Sequence, residues 1–184
     1  MSAWEGLSPP YRTIVADPPW SAKKPRGAFG MKGMADVRPD GHYSTMTLAE
    51  ICAMPVADLA APDAHLYLWA TCSGLDEGLA VMAAWGFTYK TTLTWIKQGT
   101  LGLGAYFRTQ TEHVLFGVRG SLSTATTDQR NYFEAAKSGH SRKPPAFADI
   151  VERSSPGPYL DLFCRDPRFG WDSWGYGYES AVSA

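Results

Sequence analysis

An apolar run, Arg12-Thr13-Ile14-Val15-Ala16, empties into Asp17-Pro18-Pro19-Trp20, and this junction constrains the fold more than any other stretch. β-Branched residues bounded by turn residues read as a strand. Two consecutive prolines remove two backbone donors and fix φ, so the strand must stop there. Downstream, apolar β-rich runs alternate with helical ones. Thr47-Leu48-Ala49-Glu50 has capping-box spacing and predicts a short helix ending near Pro55. His65–Ala70 reads as a second strand. Ser73 then caps a helix through Trp85, and Gly86 lies just beyond, where a left-handed residue is favoured. Further strands are expected near Thr88–Ile96 and Glu112–Val118, a helix from about Pro144 to Arg153, and a last buried strand at Tyr159–Cys164. This alternation predicts an α/β fold, a mostly parallel sheet with helices on both faces. In such sheets ligands bind beyond the carboxyl ends of the strands.

Composition narrows the function classes. With 45% apolar and 19% charged residues over 184 positions, a disordered or fibrous chain is excluded. A net charge of −1 provides no global basic field, so a polyanion partner would need a local patch. Cys52, Cys72 and Cys164 lie far apart, without zinc or disulfide spacing, which fits a reducing cytosol. The histidines do not cluster either, so no metal is expected. No apolar run approaches 18 residues and the amino terminus has no signal pattern, so neither membrane insertion nor export is expected. Two irregular segments interrupt the alternation. Ser21–Gly41 holds Lys23, Lys24, Arg26, Lys32 and Arg38 and suits either a solvated loop or one that touches nucleic acid. Gly120–Gly139 is polar and reads as a mobile loop. Gly99, Gly102 and Gly104 suit either a flexible connection or a lid over an extruded base, with Tyr106 or Phe107 placed to stack.

The chemistry resides at Asp17. A carboxylate, stiff proline carbonyls and the Trp20 ring together match the exocyclic amino group of a nucleobase. That amine is a poor nucleophile because its lone pair is conjugated into the ring. Accepting one hydrogen on Asp17 and the other on the Pro18 carbonyl favours a pyramidal nitrogen with its lone pair directed at an electrophile. After attack the nitrogen is strongly acidic, so Asp17 or water takes the surplus proton with no shift of the carboxyl pKa needed. An ordinary Pro-Pro turn is the competing reading; the apolar strand before it and the aromatic after it favour the chemical one.

Val15-Ala16-Asp17-Pro18-Pro19-Trp20 resembles the MT-A70-like adenine-N(6) methyltransferases of mRNA and of bacterial and phage DNA. The likeness continues through His42–Met46, Leu66–Trp69, Ala84–Phe87, Thr94–Lys97, Glu112–Gly120, His140–Pro144, Leu162–Arg165 and Gly170–Gly175. It therefore runs from residue 12 to 175 in the family's order. The resemblance implies a single Rossmann-like methyltransferase domain over residues 1–184, of the permuted, beta-class kind. In that order the catalytic Asp17, Pro18, Pro19 and Trp20 precede the principal cofactor strand. It also implies S-adenosylmethionine contacts at Asp17, Pro19, Lys143, Leu162, Phe163, Arg165, Gly175 and Tyr176. Lys143 and Arg165 suit the methionine carboxylate and the ribose hydroxyls. Trp20, Tyr43, Trp95, Lys97, Arg108 and Glu112 fall where the family lines its acceptor pocket. Relatives carry Asn and then an acid or amide after the glycine at 175, whereas this chain has Tyr176-Gly177-Tyr178-Glu179.

The implied activity is S-adenosylmethionine-dependent methylation of the adenine amino group in DNA, in the cytoplasm of a bacterial or phage-infected cell. Methylation of RNA adenosine is the alternative, as is a catalytically silent partner subunit. The compact chain favours the DNA-type members. Amino-cytosine methylation uses the same geometry, but relatives of that type more often carry Ser at the position of Asp17. No separate target-recognition domain is visible, so specificity is expected from the two irregular segments, on the substrate side, or from a homodimer or second subunit.

Overall fold

The computed structural model describes residues 4–21, 45–99, 101–102, 106–137 and 142–175. β1 (Tyr11–Ala16) leads through α1 (Leu48–Ala53) and a 3-10 turn (Val56–Asp58) to β2 (Ala60–Ala70) and α2 (Leu75–Ala84). The chain then forms β3 (Thr88–Gln98), β4 (Thr111–Arg119), β5 (Tyr132–Ala136), α3 (Pro145–Ser154), β6 (Tyr159–Leu162) and β7 (Trp171–Trp174). The described strands make one seven-stranded sheet, ordered β5-β3-β4-β2-β1-β6-β7.

The sheet is mostly parallel, as expected, and is mixed through a single reversed strand. β1 pairs in parallel with β2 and β6, β6 with β7, and β3 with β5. β4 is antiparallel to both β2 and β3. A hairpin therefore replaces one helical crossover, because 12 residues separate Gln98 from Thr111 and hold no helix among those described.

Side-chain alternation along the strands sorts the core into two faces. Ile14, Ala16, Leu66 and Leu68 point to the face covered by α1 and α2, with Ile51, Val81, Met82 and Trp85. Val15, Tyr67, Trp69, Trp95 and Phe116 point to the face covered by α3, with Phe147 and Val151. Gly78 brings α2 close to β4, since a Cβ there would sit 2.6 Å from the Leu115 Cδ1. No described helix is long and apolar enough to cross a membrane.

Local sequence rules held at several ends. Thr47 and Glu50 form the reciprocal capping box, and Gly86 ends α2 at φ 81°. Other boundaries moved. Ser73 does not cap α2: Gly74 is the N-cap, without a side-chain bond, and acidic Asp76 and Glu77 stand in the first turn, where the helix dipole favours negative charge. β6 stops at Leu162, because Phe163 turns to φ 65°. β5 lies inside the segment expected as a loop, and β7 was not foreseen. Both are sheet edges, where β5 alternates only weakly between half-buried and exposed and so carries little apolar signal.

Candidate active site

β1 delivers Asp17 to the carboxyl edge of the sheet, with Ala16 in register with Leu68 of β2 and Leu162 of β6. The Asp17 N–H donates to the Leu162 carbonyl at 3.3 Å, which ties the acid to the end of β6. The following turn folds on itself. Trp20 N–H donates to the Pro18 carbonyl at 2.8 Å, and Met46 N–H to the Pro19 carbonyl at 2.9 Å. The Trp20 indole N–H reaches the Trp69 carbonyl at 3.0 Å, pinning the ring to the end of β2. A proline pair predicts carbonyls that project outward as acceptors. The Pro18 oxygen instead already receives one hydrogen bond, and it keeps a second lone pair for another donor.

Lys143, just before α3, points at Asp17. Its Nζ lies 3.2 Å from Asp17 Oδ2 and 2.9 Å from Glu112 Oε2, and Lys97 Nζ lies 2.5 Å from Glu112 Oε1. Lys97, Glu112, Lys143 and Asp17 thus form a chain of alternating charge. It draws on β3, β4, the approach to α3 and the end of β1. Lys143 Nζ also sits 4.5 Å from the centroid of the Trp69 ring, and Lys97 Nζ 5.3 Å from that of Trp95. The sequence reading needs no pKa shift at Asp17, yet burial pushes its carboxyl above the usual range, against the pull of Lys143. Burial alone would lower the Lys143 pKa, but the Asp17 and Glu112 carboxylates outweigh it and hold the ammonium charged. Burial disfavours the Glu112 anion too, and Lys143 and Lys97 reverse that, leaving its carboxyl below the usual range.

A cleft of about 530 Å³ opens beside Asp17. It is walled by Lys143 and Arg142, by Phe147 of α3, by Asp161, and by Phe163 to Phe169 after β6. Burial pushes the Asp161 carboxyl up to about 7, with the Asp17 charge adding to the rise. Burial also pushes the neighbouring Cys164 thiol up to about 12, with the Asp161 charge adding to it, so that thiol is no nucleophile. Arg168 holds the far wall: its Nη2 lies 2.7 Å from both Asp149 and Glu152 of α3. No local motif marks this clamp, since Arg168 lies 16 and 19 residues from its partners in the chain.

Asp17, Lys143, Phe163 and Arg165 all line the cleft, and Lys97 and Glu112 join it through the charge chain. Leu162 is fully buried and acts through its carbonyl. Gly175 lies against Phe163 and Cys164, where a Cβ would come within 2.7 Å of backbone. Trp95 is only 1% exposed, with its indole N–H on the Ala135 carbonyl, so it supports Lys97 from the core and offers no ring to a ligand. Arg108 is not drawn to Asp17: its guanidinium binds the carbonyls of Leu101 and Gly102 at 3.3 and 2.9 Å. Tyr43, Tyr176 and nearly all of the basic segment 21–41 lie outside the described residues.

An α/β sheet with a paired acid at the carboxyl edge, beside a cleft of mixed charge, has the architecture of a methyltransferase fold. Comparison with known proteins identifies the kind. The model of the family described as MT-A70 matches residues 11–177, and the chain belongs to that family. It is 29% identical over 179 residues to the type II methyltransferase M.MunI of a Mycoplasma species, covering 90% of this chain and 76% of that protein. It is 26% identical over 175 residues to a putative N(6)-adenosine-methyltransferase MT-A70-like protein of Medicago truncatula (90% of this chain, 26% of the relative). A non-catalytic subunit of an N(6)-adenosine-methyltransferase, METTL14 of Xenopus tropicalis, is 28% identical over 146 residues, or 68% of this chain and 32% of that protein. The chain therefore spans most of the first relative's length and about a third or less of the other two.

Proposed function

We propose that this chain is an S-adenosylmethionine-dependent methyltransferase of the adenine amino group, with DNA as its acceptor. The observation that carries the reading is Asp17 of the Asp-Pro-Pro-Trp turn, held by Lys143 at the mouth of a cleft, in a chain that matches the MT-A70 family from end to end of its sheet. The reading includes the permuted, beta-class order, with Asp17 after β1 preceding the cofactor strand β6. DNA is favoured over RNA because the match to the type II methyltransferase spans most of both chains.

The donor set fits the cofactor. Its ammonium and sulfonium call for acids, its carboxylate for a cation and its ring for apolar walls. The cleft lining holds Asp17 and Asp161, Lys143, Arg142 and Arg165, and Phe163. A pocket of this size is in the range of about 300–1,000 Å³ usual for small-molecule sites. When bound, S-adenosylmethionine supplies a methyl group already activated by its positive sulfur.

The chain's own residues provide alignment. The Asp17 carboxylate accepts one hydrogen of the adenine amine, and the remaining lone pair of the Pro18 carbonyl accepts the other. Lys143 opposes the effect of burial on Asp17 and limits its rotation, and Glu112 and Lys97 hold Lys143 in turn. Asp17 or water takes the proton released once the amine is alkylated. Holding both reactants in line is worth about 7–11 kcal/mol in favourable cases.

Incubation with labelled cofactor and single- or double-stranded DNA or RNA, followed by nucleoside mass spectrometry, tests the reading. N6-methyldeoxyadenosine is expected, and Asp17→Ala should abolish it while cofactor binding largely persists. Full activity of that variant would overturn the role of Asp17. The likeness to a non-catalytic subunit supports a second reading, a silent partner in a heterodimer. A silent partner would bind the cofactor poorly, so a cofactor titration separates the two.

A further inference from the structure

The connection from β3 to β4 ends in the most exposed aromatic pair of the described residues that is adjacent in sequence, Tyr106 at 73% and Phe107 at 88%. An exposed apolar residue is ordinary, but two adjacent rings facing water on an ordered stem are not. The stem is built with care. Lys97 N–H donates to the Gln110 carbonyl at 2.9 Å, and the Gln110 side-chain amide donates to the Lys97 carbonyl at 3.1 Å. Farther out, Gly102 and Thr109 exchange both backbone hydrogen bonds, at 2.7 and 3.3 Å. Gly102 has to be glycine for that approach, since a Cβ there would lie 2.9 Å from the Thr109 carbonyl oxygen. Arg108 closes the stem by donating to the carbonyls of Gly102 and Leu101. An arginine and a glycine thus fix a stem beside which both rings stand largely exposed.

The stem rises from the edge that carries the candidate site. β4 begins at Thr111 and Glu112, and Glu112 is bonded to Lys97 of β3 and to Lys143, which holds Asp17. Ala70 of β2 pairs with His113, and Ala16 of β1 aligns with Leu68, so the ends of all four strands share one edge. The size of the patch selects its occupant. Two such rings can bury about 300–500 Å² between them, well below the roughly 800 Å² per partner of a stable protein interface. One or two nucleobases, by contrast, need only a ring face each.

We propose that Tyr106 and Phe107 form a stacking platform for unpaired nucleobases of the substrate strand, beside the Asp17 cleft. The proposal rests on the methyl-transfer reading and names where the strand lies. Stacking is tolerant of sequence, so the platform contributes affinity and position, and leaves the choice of adenine to the cleft.

The test is equilibrium binding of a fluorescein-labelled single-stranded DNA containing adenine, with its RNA and duplex counterparts. Wild type, Tyr106→Ala, Phe107→Ala, the double variant, Phe107→Leu and Phe107→Trp would be compared. Each alanine should weaken single-strand binding by roughly fivefold to a hundredfold, the usual range for one base–aromatic stack. Phe107→Trp should retain binding and Phe107→Leu should lose it, because leucine keeps apolar area but no ring. Cofactor affinity and the thermal midpoint should not move, since neither ring packs on the core. Unchanged binding in the double variant overturns the proposal, and so does a Phe107→Leu variant that binds like wild type. Light scattering that shows a wild-type dimer split by the double variant overturns it as well, making the rings a contact between copies. Methyl transfer by the wild type is read in parallel. Transfer without any effect of the variants on binding sinks the platform alone. Ring-dependent binding without transfer sinks the methyltransferase reading alone. A wild type that neither binds nor transfers sinks both.

Discussion

Asp161→Asn should make the protein more stable, and increasingly so as the pH rises. Asp161 lies on β6, in register with Val15 and Ser173, and its carboxyl lines the cleft with Asp17 nearby. Burial, reinforced by the Asp17 charge, moves its pKa from 3.8 to about 7. Between those values the folded chain binds more protons than the unfolded chain, so stability from this group falls as the pH climbs and levels off above about 7. At about 1.36 kcal/mol for each pH decade, the ionised acid costs the native state about 4 kcal/mol at pH 8. Asparagine has nearly the same shape and carries no charge. Urea unfolding followed by tryptophan fluorescence at pH 4.5, 6 and 8 should therefore show the variant drawing ahead of wild type, by up to about 4 kcal/mol at pH 8. A gap independent of pH, or a variant less stable than wild type at pH 8, would refute the account. An acid kept at such a cost points to a ligand that uses it, so the stabilised variant should also bind S-adenosylmethionine more weakly.

Lys143→Met should destabilise the fold by about 3–5 kcal/mol near neutral pH, because Asp17 and Glu112 would lose the cation between them. The Glu112 carboxyl is held below its usual value, so its share of stability is present above pH 4.5 and fades as the pH falls. The variant's deficit should therefore shrink in acid, which denaturant titrations at pH 8 and about 3 would reveal; a constant deficit would place the effect in packing alone. Thr47→Ala removes the hydroxyl that accepts the Glu50 N–H and should cost about 1 kcal/mol in thermal or chemical unfolding. No measurable loss there would mean that packing of Ile51 alone holds α1.

Much of the site was legible because its signals are local. A proline pair must end a strand, so the place of Asp17 at a sheet edge follows from five residues. The capping box at Thr47 reads just as directly, and the family resemblance brought Lys97, Glu112 and Lys143 into the candidate site. Their connectivity was not legible. The resemblance makes Lys143 a cofactor contact, and its nearest anions in the fold are Asp17 and Glu112. Arg108 and Trp95 were assigned to the acceptor pocket, yet one staples a hairpin and the other fills the core. A family pattern transmits residue types and their order, whereas the partner a side chain meets depends on strand register.

Chain-local physics thus decided where β1 ends, where α1 begins and where α2 stops, and which residue types stand at the carboxyl edge. Hydrophobic alternation, caps and prolines act over a few residues and are written in consecutive letters. Tertiary structure alone decided the antiparallel place of β4, the pairing of β5 and β7 as edges, and the order of charges from Lys97 to Asp17. It also raised the carboxyls of Asp17 and Asp161, since desolvation depends on what the rest of the chain packs around a group.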